Sequence, residues 1–88
     1  MKTRQELNAW EARINAEIAK VHGEYFEAIQ AMRKTLWNDL SLRAASEAEL
    51  DACRAAKLTV LMAERGRCGD GHAELTEAER QERIRRAL

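Results

Sequence analysis

From Leu7 to Leu40, large apolar residues recur at steps of three and four: Leu7, Trp10, Ile14, Ile18, Val21, Tyr25, Ile29, Met32, Leu36 and Leu40. The steps run 3, 4, 4 and then repeat, closing every 11 residues at about 3.67 residues per turn. Such spacing places the whole set on one face of a helix. A seven-residue repeat would force a left-handed supercoil, whereas an 11-residue repeat keeps the stripe nearly straight. No proline interrupts it, and Thr3-Arg4-Gln5-Glu6 ahead of it has the pattern of a capping box. The expectation is one straight helix from about residue 4 to about residue 42. At ~1.5 Å per residue it is roughly 55–60 Å long.

Two more capping-box patterns follow, Ser46-Glu47-Ala48-Glu49 and Thr76-Glu77-Ala78-Glu79. The first predicts a second helix over about 47–65, with Leu50, Cys53, Val60 and Leu61 as its core stripe and Leu58 and Met62 broadening it. Gly66 suits a C-cap. Three glycines within residues 66–71 predict a loop over 66–72. The last pattern predicts a third helix over about 77–87, with Glu77, Glu79 and Glu82 early and Arg80, Arg83, Arg85 and Arg86 late, matching the helix dipole. The expected fold is all-α and a single domain: one long straight helix with two shorter helices packed antiparallel along it. Helix 3 offers only Ala78, Ile84, Ala87 and Leu88 as cover for Leu7, Trp10 and Ile14. A second copy is therefore expected on the long helix, giving a helical-bundle homodimer of coiled-coil character.

An 88-residue chain buries only about 60–65% of its unfolded surface, so a partner would relieve a marginal monomer. Lys+Arg and Asp+Glu balance at 15 each, which argues against binding to nucleic acid or anionic membrane through net charge. No run of ~18 apolar residues is present to span a bilayer. MKTRQELNAW lacks the apolar centre of a signal peptide, and two cysteines are too few for a disulfide framework. The expectation is a cytoplasmic protein with reduced thiols.

Few side chains suggest chemistry. Phe26 and Trp37 are 11 residues apart and lie about 100° round the helix from the main stripe. With Trp10, His22 and Arg33 they form the candidate protein interface, because aromatic and arginine side chains are the usual anchors of such surfaces. Gly23, beside His22, marks either a close backbone approach or a tolerated glycine. Arg80, Arg83 and Arg86 are candidate phosphate contacts. Three glutamates among residues 77–88 leave the four arginines there a surplus of only one positive charge, so nucleic acid is not the expected partner. Cys68-x3-His72 has a spacing that can bind zinc. A structural zinc site takes four ligands, and only Cys53, a predicted core residue, or Asp70 is at hand to add. No metal and no other cofactor is therefore expected, and Cys68 is read as an exposed loop cysteine. Gly66-Arg67-Cys68-Gly69 matches the GxxG loop of KH modules, but the sheet those modules require is missing. No Gly-Lys-Ser/Thr follows it to make a phosphate-binding loop.

In outline, a long helix followed by two shorter ones resembles the helical chorismate mutases, intertwined dimers of about this length. The resemblance implies an Arg, Arg, Lys set on the long helix that binds a dicarboxylate, and an Asp-x-x-Arg-Glu stretch on the second. The long helix here carries Arg13, Lys20, Arg33 and Lys34 at a different spacing. Asp51-Ala52-Cys53-Arg54-Ala55 matches the second motif without its final acid. No nucleophile triad or fixed carboxylate pair stands out elsewhere. The expected function is a non-enzymatic protein-interaction module. Small Ala/Glu/Arg-rich helical proteins of this kind are common among phage and mobile-element inhibitors and adaptors that act on host complexes. The alternatives are a nucleic-acid-associated helper using the C-terminal arginines, and a small enzyme of chorismate mutase-like outline.

Overall fold

The computed structural model describes residues 2–88 and contains two helices joined by a tight turn, α1 (Arg4–Thr35) and α2 (Leu40–Ala87). They pack antiparallel: Arg4 meets Glu79 at one end, and Arg33 meets Glu47 near the turn. The resulting rod measures 74 × 17 × 15 Å. No strand occurs among the described residues, so the all-α expectation holds.

α1 begins where its capping box predicts. The Thr3 hydroxyl accepts from the Glu6 amide, and the Glu6 carboxylate accepts from the Thr3 amide. The apolar stripe faces α2 as far as Leu36, with Leu7, Ile14 and Ile29 fully buried and the others half-buried. The helix does not reach residue 42. It ends at Thr35, and the chain reverses through Leu36-Trp37-Asn38-Asp39. Asp39 then caps α2, its carboxylate accepting from the Leu42 amide at 3.0 Å. An aspartate that satisfies one of the first free N–H groups of a helix is a strong start signal. Leu40, the last member of the sequence stripe, is thereby turned to solvent at 73% exposure.

The predicted second helix, loop and third helix are one helix of 48 residues. The chain does not bend at 66–72, and no glycine has positive φ, so Gly66 is not a C-cap. Packing explains one of the three glycines. A Cβ on Gly71 would lie 2.8 Å from Leu7 Cδ2, so the bare backbone there admits the leucine. Nothing lies within 4 Å of the same position on Gly23, Gly66 or Gly69. The capping-box patterns at Ser46 and Thr76 sit inside α2, and the Thr76 hydroxyl accepts from Arg4 Nη2 at 3.1 Å instead.

The inner face of α2 also differs from expectation. It runs through Leu50, Arg54, Leu58, Leu61, Glu64, Cys68, His72 and Leu75, while Cys53, Val60 and Met62 face solvent. Arg54 occupies a core-facing position by laying its guanidinium 3.8 Å from the centre of the Tyr25 ring. The two cysteines have therefore exchanged roles: Cys68 is buried and Cys53 exposed. With two helices rather than three, the outline shared with chorismate mutases is absent.

α2 outruns α1 by 16 residues. Arg4, the first residue of α1, reaches Glu79, and α2 continues past it to Ala87 with no second helix alongside. Among the described residues only Leu7, Ile14, Ile29 and Cys68 are fully buried, so the hairpin has a thin core. No helix among the described residues is long and apolar enough to cross a membrane.

Candidate functional site

At the end away from the turn, the first two turns of α1 cross α2 at residues 64–79, and polar side chains from both helices converge. Cys68 and His72 share one face of α2, being four residues apart, and Leu7 and Glu11 do the same on α1. The Cys68 thiol donates to the Leu7 carbonyl at 3.4 Å. Arg4 Nη1 donates to His72 Nδ1 at 3.1 Å, and Nη2 bonds Thr76 and the Glu79 carboxylate. An arginine can only donate, so His72 Nδ1 is the acceptor and the ring proton sits on Nε2. That Nε2 atom is buried and makes no hydrogen bond among the described residues, although Glu11 Oε2 lies 3.3 Å away. The sulfur of Cys68, a ring nitrogen of His72 and a carboxylate oxygen of Glu11 all lie within 4.8 Å of one another.

Next to this cluster, the Trp10 indole N–H donates to Glu64 at 2.7 Å, and Arg13 reaches the same oxygen at 3.4 Å. The Trp10 bond, with help from Arg13, holds the Glu64 carboxyl below its ordinary range. Towards the turn, the Tyr25 hydroxyl donates to Asp51 at 2.5 Å, and that bond raises the phenol above its usual value.

The residues expected to form an interface fall into two groups. Trp10 and Arg33 face the hairpin's own partner helix: Trp10 is half-buried on Glu64, and Arg33 bonds Glu47 at 2.8 Å. His22, Phe26 and Trp37 remain exposed, Phe26 at 64% and Trp37 at 71%, with Phe26 edge-on to Tyr25. At the turn Trp37 is joined by Leu40 and Leu42, which the sequence assigned to the covered stripe or left unremarked. The rod thus ends in an apolar tip.

Of the candidate phosphate contacts, Arg80 is held by Glu77 and Arg86 by Glu82, while Arg83 makes no ion pair among the described residues. The Arg80 guanidinium, together with Gln81, holds Glu77 at about 2. The arginine helix is largely neutralised by its own acids.

Glu11 and the tip residues Leu40 and Leu42 are the members of these sites that sequence reasoning missed. Asn38-Asp39, a turn-forming pair ending in a good N-cap, is the signal that would have exposed the tip. Comparison with protein-family models, curated proteins and solved structures finds no match.

Proposed function

We propose that this protein is a non-enzymatic protein-interaction module that works through its exposed apolar tip and flank, and that a second copy of the chain is its first partner. One observation carries the reading: Trp37, Leu40 and Leu42 stand together at the turn at 71%, 73% and 49% exposure. Large apolar residues exposed at one end of a small protein cost solubility unless another surface covers them. The thin core supports the same reading, because association adds the burial that a two-helix hairpin lacks. Phe26 extends the apolar surface along α1, and Arg33 lies between Phe26 and the tip.

Sedimentation across a wide concentration range tests the proposal. The expected result is a dimer or higher oligomer that dissociates in a Trp37→Ala, Leu40→Ala double variant of unchanged helicity. A species that stays monomeric at every concentration, or an oligomer that ignores both substitutions, rejects it.

A further inference from the structure

We infer that Glu11, Cys68 and His72 form a binding site for a divalent transition metal, best suited to zinc, which clips α1 to the glycine-rich turn of α2. The three donor atoms come from two helices and already lie within 4.8 Å of one another. In a tetrahedral zinc site, metal–ligand distances of about 2.0–2.3 Å put neighbouring donors roughly 3.3–3.6 Å apart. The His72 Nε2 to Glu11 Oε2 distance of 3.3 Å is one such edge. The other two edges are no longer than 4.8 Å, so an inward movement of the thiol of up to about 1.5 Å completes them.

His72 Nε2 supplies an independent reason. It is buried and makes no hydrogen bond among the described residues, an arrangement that costs free energy unless something else engages the nitrogen. Thiolate, imidazole and carboxylate together select a borderline metal such as zinc over magnesium or calcium, which take oxygen donors. Charge also balances: a thiolate and a carboxylate neutralise a divalent ion, and Glu79 already answers Arg4. Three protein ligands leave the fourth position to water.

The position of the site gives it a purpose. Cys68 and His72 bracket Gly69 and Gly71, the part of α2 with the lowest intrinsic helix propensity. A metal held at i and i+4 closes that helical turn, and the Glu11 ligand fastens it to α1. Binding releases one proton, that of the Cys68 thiol, because the ligand is the thiolate. The imidazole stays neutral, its proton passing from Nε2 to Nδ1. Arg4 Nη1 now points a donor at Nδ1, so metallation requires that contact to break, while Arg4 keeps Thr76 and Glu79 through Nη2. Arg4 is therefore a competitor of the metal.

Titration of the reduced, tag-free full chain with cobalt(II), followed by displacement with zinc, tests the site. The expected result is one equivalent of cobalt with a thiolate-to-metal charge-transfer band and tetrahedral visible bands. Zinc should then bleach these bands and raise the melting temperature. Cys68→Ser should abolish the band, and Cys53→Ser should leave it intact. Glu11→Gln and His72→Ala should each weaken binding by at least about tenfold. Arg4→Ala should tighten it. If Cys68→Ser fails to fold, slower alkylation of Cys68 by a thiol reagent when zinc is present replaces that arm. A band that vanishes in Cys53→Ser, cobalt that binds without a thiolate band, or zinc that changes neither melting nor alkylation overturns the inference.

Discussion

Leu7 fills the space that a side chain at position 71 would need: a Cβ on Gly71 would stand 2.8 Å from Leu7 Cδ2, and Leu7 is only 1% exposed. One glycine of the cluster is thus in close contact with the other helix, and its neighbours are not.

The four glycines should therefore respond differently to alanine. Gly23, Gly66 and Gly69 have open space at Cβ and negative φ, so alanine at each should stabilise the hairpin by about 0.5–1 kcal/mol. Gly71→Ala gains the same propensity but must displace a buried leucine, and should fall at least about 1 kcal/mol below Gly66→Ala. Thermal melts followed by circular dichroism rank the four variants.

Leu7→Ala removes one of the few buried side chains and leaves a void opposite Gly71. A loss of about 2–5 kcal/mol is expected. Since a small domain commonly has about 5 kcal/mol in total, the variant should be largely unfolded near its wild-type midpoint. Urea titration gives the value.

Acid should weaken the hairpin in a defined window. Both Glu64 and Glu77 have folded values below their ordinary 4.5, so each favours the folded state above pH 4.5 and loses that contribution as pH falls. For Glu77 the loss runs from about pH 4.5 down through about pH 2. Glu64→Gln and Glu77→Gln should each flatten the acid limb, the first by removing the acceptor for Trp10 and Arg13 of the other helix and the second by removing the partner of Arg80 and Gln81 on its own. Tyr25 has the opposite sign. Its folded value is raised above 10.0, so its contribution is present below pH 10 and lost as pH rises through the folded value. Tyr25→Phe should remove that alkaline step. Melting temperature measured against pH checks both limbs.

Asp39→Ala leaves the Leu42 amide without its carboxylate partner and should cost about 1 kcal/mol. Asp39→Ser and Asp39→Asn, which also cap, should recover most of it. Chemical denaturation of the four proteins settles the order.

The inner face of α1 was legible because every member of its stripe up to Leu36 is a large apolar residue at helical spacing. Its end was not, because Leu40 continues the spacing past a turn that Asn38-Asp39 encodes more quietly. On α2 the pattern was hidden by chemistry. Arg54 holds a core-facing place through its stacking on Tyr25, so the apolar residues alone traced the wrong edge through Cys53 and Val60. The helical glycine segment reflects a contest of magnitudes. The three helical glycines together cost about 3 kcal/mol, a buried Leu7 returns about 1.5–3 kcal/mol, and the second term depends on a contact 64 positions away. The spacing of Cys68 and His72 was readable, but Glu11 joins them only through the antiparallel register, which no local pattern carries.

The eight residues from Arg80 to Ala87 extend past the first turn of α1 like an unpaired strand of rope beyond its splice. Fraying should begin there, and amide exchange should slow progressively from that end towards the middle of the rod. Any molecule that settles on this extension would announce itself as protection where the isolated chain shows the least.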